Sequence, residues 1–247
     1  MQHRFLERWR NGRLDLPKIE YEPHDYSEVR EELDAIQHEA LFTDNHPIGG
    51  YVRRTAESWE IATRLLESIG TRDVSVHSAA LFGKPGDFLP GSDYHNIDAA
   101  HHFIALADEL SRELATQESD YVISAGAMRE ELQARLDAFF VHHHVRVEVD
   151  PKLTAKAAAG TTRIRLRADT GFSEYDRHQL LEHEAFVHSL TALNGRAQPH
   201  LASMARNSPR ITATQEGLAT FAELSTGALD IQRMKRLSRR ILAIDLA

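Results

Sequence analysis

Two histidines spaced five residues apart constrain this chain more than any other feature of its sequence. His183 and His188 lie in a long helical run, and Glu184 directly follows the first of them. Metallopeptidase helices carry two His ligands at i and i+4, with a Glu beside the first as the general base. At i and i+5 the imidazoles on a regular α-helix point roughly 140° apart and cannot share one ion. The motif therefore predicts a π-bulge between His183 and His188, which returns both rings to one face.

A second helix downstream offers a third ligand. Thr212 and Gln215 have the sequence pattern of a capping box, so Glu216 is expected in the first turn of this helix. A carboxylate there has two interpretations, a metal ligand or an acidic side chain favoured by the helix dipole. Gly217 costs about 1 kcal/mol in a helix relative to Ala, which predicts the close approach of another backbone. Two imidazoles and one carboxylate would leave a single Zn²⁺ ion an open position for water.

The composition narrows the classes of function. The chain has 247 residues, of which 42% are hydrophobic, enough for a sizeable core. Its formal net charge of −8 gives no support to nucleic-acid binding. Cys is absent, which leaves His and carboxylates as metal ligands and excludes a thiol nucleophile. The sequence has no apolar run of membrane-spanning length and no secretory signal, so we expect a cytoplasmic protein without membrane contact. It gives no indication of the oligomeric state.

Hydrophobic periodicity predicts a predominantly helical α+β fold, with a small β-sheet next to a zincin-like active-site helix. We expect a helical lobe over residues 1–140 and a core over residues 141–247, together forming one folding unit. The motif helix is expected to begin with Ser173 as its N-cap and to end at Gly195. Other helices are predicted over residues 27–42, 47–69, 97–114 and 125–140, strands over 144–149 and 161–167, and an irregular Gly- and Pro-rich loop over 81–96.

Other histidine clusters fit a metal site poorly. His101 and His102 are adjacent on a predicted helix, where neighbouring side chains diverge by about 100°. His142–His144 precede a predicted strand, where consecutive side chains point to opposite faces. We interpret both clusters as ordinary polar positions.

Two motifs and several shorter segments resemble a known family. The motifs are His183–His188 and Gln215-Glu216-Gly217-Leu218, and together they are similar to those of the tubulin tyrosine carboxypeptidases and of bacterial relatives named for the QEGL motif and linked to flavohaemoglobin expression. The resemblance extends from about residue 45 to residue 225. The shorter segments are His46–Gly49, Ala80–Pro85, Thr162–Arg165 and Asn194–Pro199.

This resemblance implies a gluzincin-like zinc metallopeptidase. It implies that His183, His188 and Glu216 are ligands of one Zn²⁺ ion and that Glu184 is the catalytic base. It also implies that a C-terminal Tyr or Phe is removed from a peptide or protein. Members of the family continue beyond the QEGL helix, so we expect that part of the substrate groove is either missing or comes from a second chain or a further segment. The alternatives are a non-catalytic metal-binding regulatory protein on the same fold and a helical interaction module with a coincidental motif.

Three arginines on one strand are the candidates for binding a substrate carboxylate. Arg163, Arg165 and Arg167 share a face, and Arg binds carboxylates through two parallel hydrogen bonds. The strand could also pair with the substrate backbone, whereas the alternative is a solvated strand face. Glu223 is interpreted as an exposed helix carboxylate, with a hydrogen bond to a ligand His as the alternative. The basic helix around residues 233–240 is expected to pack one face and expose the other to solvent, with binding of an acidic partner as the alternative.

Overall fold

The fold is predominantly helical with a small β-sheet, which confirms the predicted α+β class. It is seen in a computed structural model that describes residues 2–13, 20–22, 24–43, 45–113 and 122–247. The chain divides into two compact units, Met1–Leu81 and Phe82–Ala247. No helix within the described ranges is long and apolar enough to cross a lipid bilayer.

The first unit is built from helices. Helices α2 (Ser27–Leu41) and α3 (Pro47–Glu67) begin where they are predicted to begin. They run antiparallel, because Glu67 at the end of α3 accepts a hydrogen bond from the backbone N–H of Tyr26, 2.7 Å away, and pairs with Arg30 at 2.5 Å. This unit also contains α1 (Gln2–Arg10) and α4 (Asp73–Phe82), the latter extending one residue past the unit boundary.

The second unit contains the predicted sheet and both motif helices. The helix predicted over residues 97–114 is observed as α5 (Asn96–Glu113), while Leu114 lies outside the described residues. The segment between α4 and α5 is irregular, as predicted. Further helices are α6 (Ala125–Phe139), α7 (Glu174–Gln179), α8 (Leu190–Arg196), α9 (Thr212–Ser225) and α10 (Ile231–Asp245), with a π-helix at Leu180–Ser189 and 3-10 turns at Ala202–Ala205 and Pro209–Ile211.

A three-stranded mixed sheet supports the motif helix. Strand β2 (Arg146–Asp150) pairs in parallel with β4 (Arg163–Arg167), and β3 (Ala157–Ala159) pairs antiparallel with the other edge of β4. Both predicted strands are thus confirmed, and β3 adds to them. A separate ladder joins β1 (Ile123–Ser124) to β5 (Gly171–Phe172), and β5 leads directly into α7.

The core of the second unit lies between α6, the sheet and the π-helix. Gln133 of α6 fixes the position of β2, because its side chain donates to the Val145 carbonyl at 3.1 Å and accepts from the Val147 N–H at 2.8 Å. α6 and the strands therefore share one core. Its buried side chains include Met128, Leu132, Leu136, Val145, Val147, Ile164, Leu166, Leu180, Leu181 and Ala185.

Candidate metal centre

The helix that carries both histidines is not a regular α-helix. It begins with a capping box, in which the Ser173 side chain accepts from the Asp176 N–H at 3.2 Å and the Asp176 side chain accepts from the Ser173 N–H at 2.7 Å. After α7 the backbone forms a π-helix of 10 residues and then returns to α-helix as α8. Hydrogen bonds in a π-helix join residues five apart, so His183 and His188 lie on one face. The predicted π-bulge is confirmed, and the π-helical stretch of 10 residues is longer than a single bulge.

The two imidazoles and the Glu216 carboxylate converge on one point. The ring centroids of His183 and His188 are 4.8 Å apart. Each Nε2 atom lies 3.6 Å from an oxygen of Glu216, His183 from Oε2 and His188 from Oε1. Ligand atoms about 2.0–2.1 Å from a tetrahedral ion are roughly 3.3 Å from one another, which is close to these separations. No other group of three His, Cys, Asp or Glu converges in this way within the described ranges.

Glu223 orients the His183 ring through Nδ1, the ring nitrogen that does not face Glu216. Its side chain is completely buried, and its Oε1 accepts a hydrogen bond from His183 Nδ1 at 2.5 Å. Arg233 pairs with both carboxylate oxygens through Nε and Nη2. Burial opposes ionisation of Glu223, but the hydrogen bonds from His183 and Arg233 outweigh it and hold its pKa below the ordinary value. An ionised acceptor requires a proton on Nδ1, and a neutral imidazole with that proton carries its lone pair on Nε2, the nitrogen that faces Glu216.

The interpretation of Glu223 as an exposed carboxylate is therefore wrong, and the hydrogen bond to His183 agrees with the alternative. The sequence contained a usable signal for it. Glu223 follows Glu216 by seven residues, close to two helical turns, so both carboxylates point from α9 towards the same neighbour.

Two cavities meet at the converging side chains. The first, which we call the α10 cavity, has a volume of about 710 Å³ and is lined by Glu184, by the chain around β3 and by basic residues of α10. The second, which we call the α8 cavity, has a volume of about 820 Å³ and is lined by α8, by the Ala202–Ala205 turn and by the residues that follow β3. Ala159, His188 and Asn207 line both cavities. His183 and Glu216 line only the α10 cavity, so the candidate metal centre belongs to that cavity and the α8 cavity adjoins it at His188.

The edge strand β3 runs along both cavities. Arg167 N–H donates to the Lys156 carbonyl and Gly160 N–H donates to the Arg163 carbonyl, at 3.0 and 2.7 Å. Because backbone groups alternate in an antiparallel pair, the N–H and C=O of Ala157 and Ala159 face away from β4. The Ser189 hydroxyl, at the end of the π-helix, donates to the Gly160 carbonyl at 3.0 Å and ties this edge to the helix of the two histidines.

The arginines of β4 do not line either cavity. Arg163 and Arg165 pair with Glu148 and Asp150 of β2 at 3.6 and 3.2 Å, and Arg167 donates to a backbone carbonyl between β2 and β3. β4 is hydrogen-bonded along both edges, by β2 and by β3, so it cannot take up a substrate strand. The free edge next to the histidines belongs to β3. Basic side chains reach the α10 cavity from α10 and from Lys156 instead.

Two local predictions around the second motif are wrong. Thr212 is already the first residue of α9 and the residue before it makes no side-chain cap, so Glu216 lies in the second turn. A Cβ atom on Gly217 would meet nothing within 4 Å, which contradicts the predicted backbone approach. A close backbone approach occurs instead at Gly195, where a Cβ atom would lie 2.4 Å from the backbone nitrogen of Ala205. Gly195 is predicted to end its helix, but α8 continues to Arg196.

Comparison with known proteins assigns the chain at the level of family. A family model described as microtubule-associated tyrosine carboxypeptidase (MATCAP) matches residues 3–247, essentially the whole chain. No curated protein sequence and no solved structure gives a significant match. The match supports a hydrolase of the carboxypeptidase type.

Proposed function

Because the chain belongs to the microtubule-associated tyrosine carboxypeptidase family, we propose that it is a zinc-dependent carboxypeptidase that releases a C-terminal Tyr or Phe from a peptide or protein. The observation that carries this proposal is the convergence of His183, His188 and Glu216 in the cavity that Glu184 also lines. Two imidazoles and one carboxylate are the donor set of a catalytic zinc site with an open position.

The residues of the site divide the chemistry among them. His183 Nε2, His188 Nε2 and a Glu216 oxygen would hold the ion. Zn²⁺, when bound, supplies Lewis acidity that polarises the scissile carbonyl and lowers the pKa of water. Glu184 accepts the proton of the attacking water and delivers it to the leaving amine nitrogen. Glu223 keeps His183 in the tautomer whose Nε2 can bind metal.

The substrate backbone would pair with the free edge of β3. The outward N–H and C=O groups of Ala157 and Ala159 have no backbone partner in the part of the chain that the structure describes. A peptide added to this edge in extended conformation would pass between the two cavities and beside His188. Such pairing positions the scissile bond independently of the substrate side chains.

Metal analysis of the purified protein tests the donor set. We expect about one zinc per chain in the wild type, since three convergent ligands complete a catalytic site. His188→Ala should lose the metal, whereas Glu184→Gln should retain it because Glu184 is not a ligand. If the wild type does not hold stoichiometric zinc after loading, the proposed zinc site is refuted and the chain is a helical protein with a coincidental motif.

Peptide hydrolysis separates an enzyme from a metal-binding regulatory protein. Peptides that end in Tyr or Phe are incubated with zinc-loaded protein, and the released amino acid is measured by mass spectrometry. Glu184→Gln should reduce kcat by roughly 10²–10⁴-fold, the usual contribution of a general base, with metal content unchanged. Glu182→Gln is the matched control, since Glu182 lies on the same helix and does not line the α10 cavity. A wild type that holds zinc and releases no amino acid would support the regulatory protein.

A further inference from the structure

The wall that α10 contributes to the α10 cavity is basic. Arg233, Arg236 and Arg240 recur at spacings of three and four residues, so they share one face of α10, and all three line the cavity. Arg233 is already engaged in its bidentate pair with Glu223. Arg236 and Arg240 are exposed to solvent within the cavity.

Neither of these two guanidinium groups has an acidic partner among the residues that the structure describes. Within the described ranges, no carboxylate lies within 4 Å of Arg236 or Arg240. Three acidic residues share the cavity, and none of them pairs with Arg236 or Arg240. Asp176 pairs with Lys156 at 2.7 Å, Glu216 faces the two imidazoles, and Glu184 makes no ion pair among the described residues. An arginine fork matches a carboxylate in bidentate geometry, so two unpaired forks in one cavity wall form a site for a carboxylate.

The candidate metal centre shares the α10 cavity with this wall, and the α8 cavity adjoins it at His188, which gives a bound peptide a direction. Resting on the proposed function, we propose that Arg236 and Arg240 bind the terminal carboxylate of the substrate. The C-terminal residue then occupies the α10 cavity. The residues before the scissile bond run along β3, past His188, into the α8 cavity.

This arrangement explains how the site would select chain ends. An internal peptide segment offers a neutral amide where a chain end offers a carboxylate, and it cannot pair with either guanidinium. A site built to bind a charged group discriminates strongly against a ligand that lacks it, because the binding groups are left unpaired. The same wall would thus hold the terminal residue in place and exclude internal cleavage.

Binding to a zinc-loaded, catalytically impaired protein tests the proposal. In the Glu184→Gln background, isothermal titration measures the affinity for a short peptide ending in Tyr, as the free acid and as the C-terminal amide. The parent should bind the acid more tightly than the amide. Arg236→Gln combined with Arg240→Gln should weaken binding of the acid by roughly 10- to 100-fold, the loss expected for hydrogen bonds to a charged group, and should leave the amide unchanged.

Arg239→Gln is the matched control. It removes the same charge from an exposed position of the same helix, but Arg239 does not line the cavity. The proposal is overturned if the Arg236 and Arg240 variant binds the free acid as tightly as the Arg239 variant. If the wild type releases no amino acid but the acid preference depends on Arg236 and Arg240, the proposed hydrolysis fails and the carboxylate site stands. If hydrolysis is intact in the double variant with unchanged KM, the carboxylate site fails and the hydrolase stands.

Discussion

Replacing Glu223 with Gln should weaken both the fold and the metal site, through two separate contacts of one carboxylate. Gln preserves the volume but cannot accept both hydrogen bonds from Arg233. The Glu223 side chain is completely buried and that of Arg233 is 16% exposed, so water replaces little of the lost interaction. Removing one partner of a buried pair costs about 3–5 kcal/mol. We expect the free energy of unfolding of the metal-free protein to fall by about 3 kcal/mol.

The second effect of Glu223→Gln acts on zinc binding. His183 loses an ionised acceptor at Nδ1, so the tautomer that would present Nε2 to the proposed zinc ion is no longer enforced. Loss of such an outer hydrogen bond typically weakens metal binding by about 10- to 100-fold, equal to roughly 1.4–2.7 kcal/mol. Arg233→Met should change the zinc affinity less, because Glu223 keeps its hydrogen bond to His183.

A double-mutant cycle separates the two effects. Urea unfolding followed by circular dichroism measures the stability of the metal-free single and double variants, and competition with a chromogenic chelator measures their zinc affinity. The double variant should be more stable than the sum of the single losses predicts, by about 1–3 kcal/mol, because Glu223 and Arg233 are in direct contact. The reasoning is refuted if the losses in stability add, or if Glu223→Gln leaves the zinc affinity unchanged.

Two further predictions concern residues outside the metal centre. Gly195→Ala should destabilise the protein by about 1–3 kcal/mol, because the new methyl group meets the backbone of Ala205, whereas Gly217→Ala should stabilise it by about 0.5–1 kcal/mol, since its Cβ would be unobstructed. Thermal unfolding of both variants checks this, and a smaller loss for Gly195→Ala than for Gly217→Ala would contradict it. Arg165→Gln should leave KM for a Tyr-terminated peptide within about twofold of wild type, because Arg165 pairs with Asp150 and lines neither cavity. A large increase in KM would instead indicate that the β4 arginines bind the substrate carboxylate.

The irregular helix could be predicted because the chemistry demanded it. Two imidazoles five residues apart cannot share an ion on an α-helix, so the hypothesis of a metal site required a backbone defect at a known position. The structure contains that defect over Leu180–Ser189. Its extent was not predictable, because the side chains that pack around His183 and His188 come from segments distant in sequence.

Elements without a local pattern were missed. β3 consists of three alanines, which show no alternation, and it is ordered by pairing with β4 and by the Ser189 hydrogen bond to Gly160. Helix α4 (Asp73–Phe82) buries none of its residues and carries no clear apolar stripe. Both elements are determined by their neighbours or by short-range propensity, and periodicity detects neither.

Side chains whose partners are distant in sequence were the least predictable part of the site. Glu223 contacts His183, 40 residues earlier, and it is this contact that explains its burial. The β4 arginines and the α10 arginines look equally basic in sequence. Two features of the fold distinguish Arg165 from Arg236. The sheet order places β4 between two partner strands, whereas α10 lies beside the cavity.

The brevity of β3 has a consequence for self-association. A bare strand edge can recruit the same edge from another molecule, and long flat edges promote aggregation. With three residues and only two outward-facing backbone positions, Ala157 and Ala159, this edge offers a register for the last few residues of a peptide but too few hydrogen bonds to nucleate an intermolecular sheet. The protein can thus carry an unpaired strand edge beside the candidate metal centre and still resist polymerising through that edge.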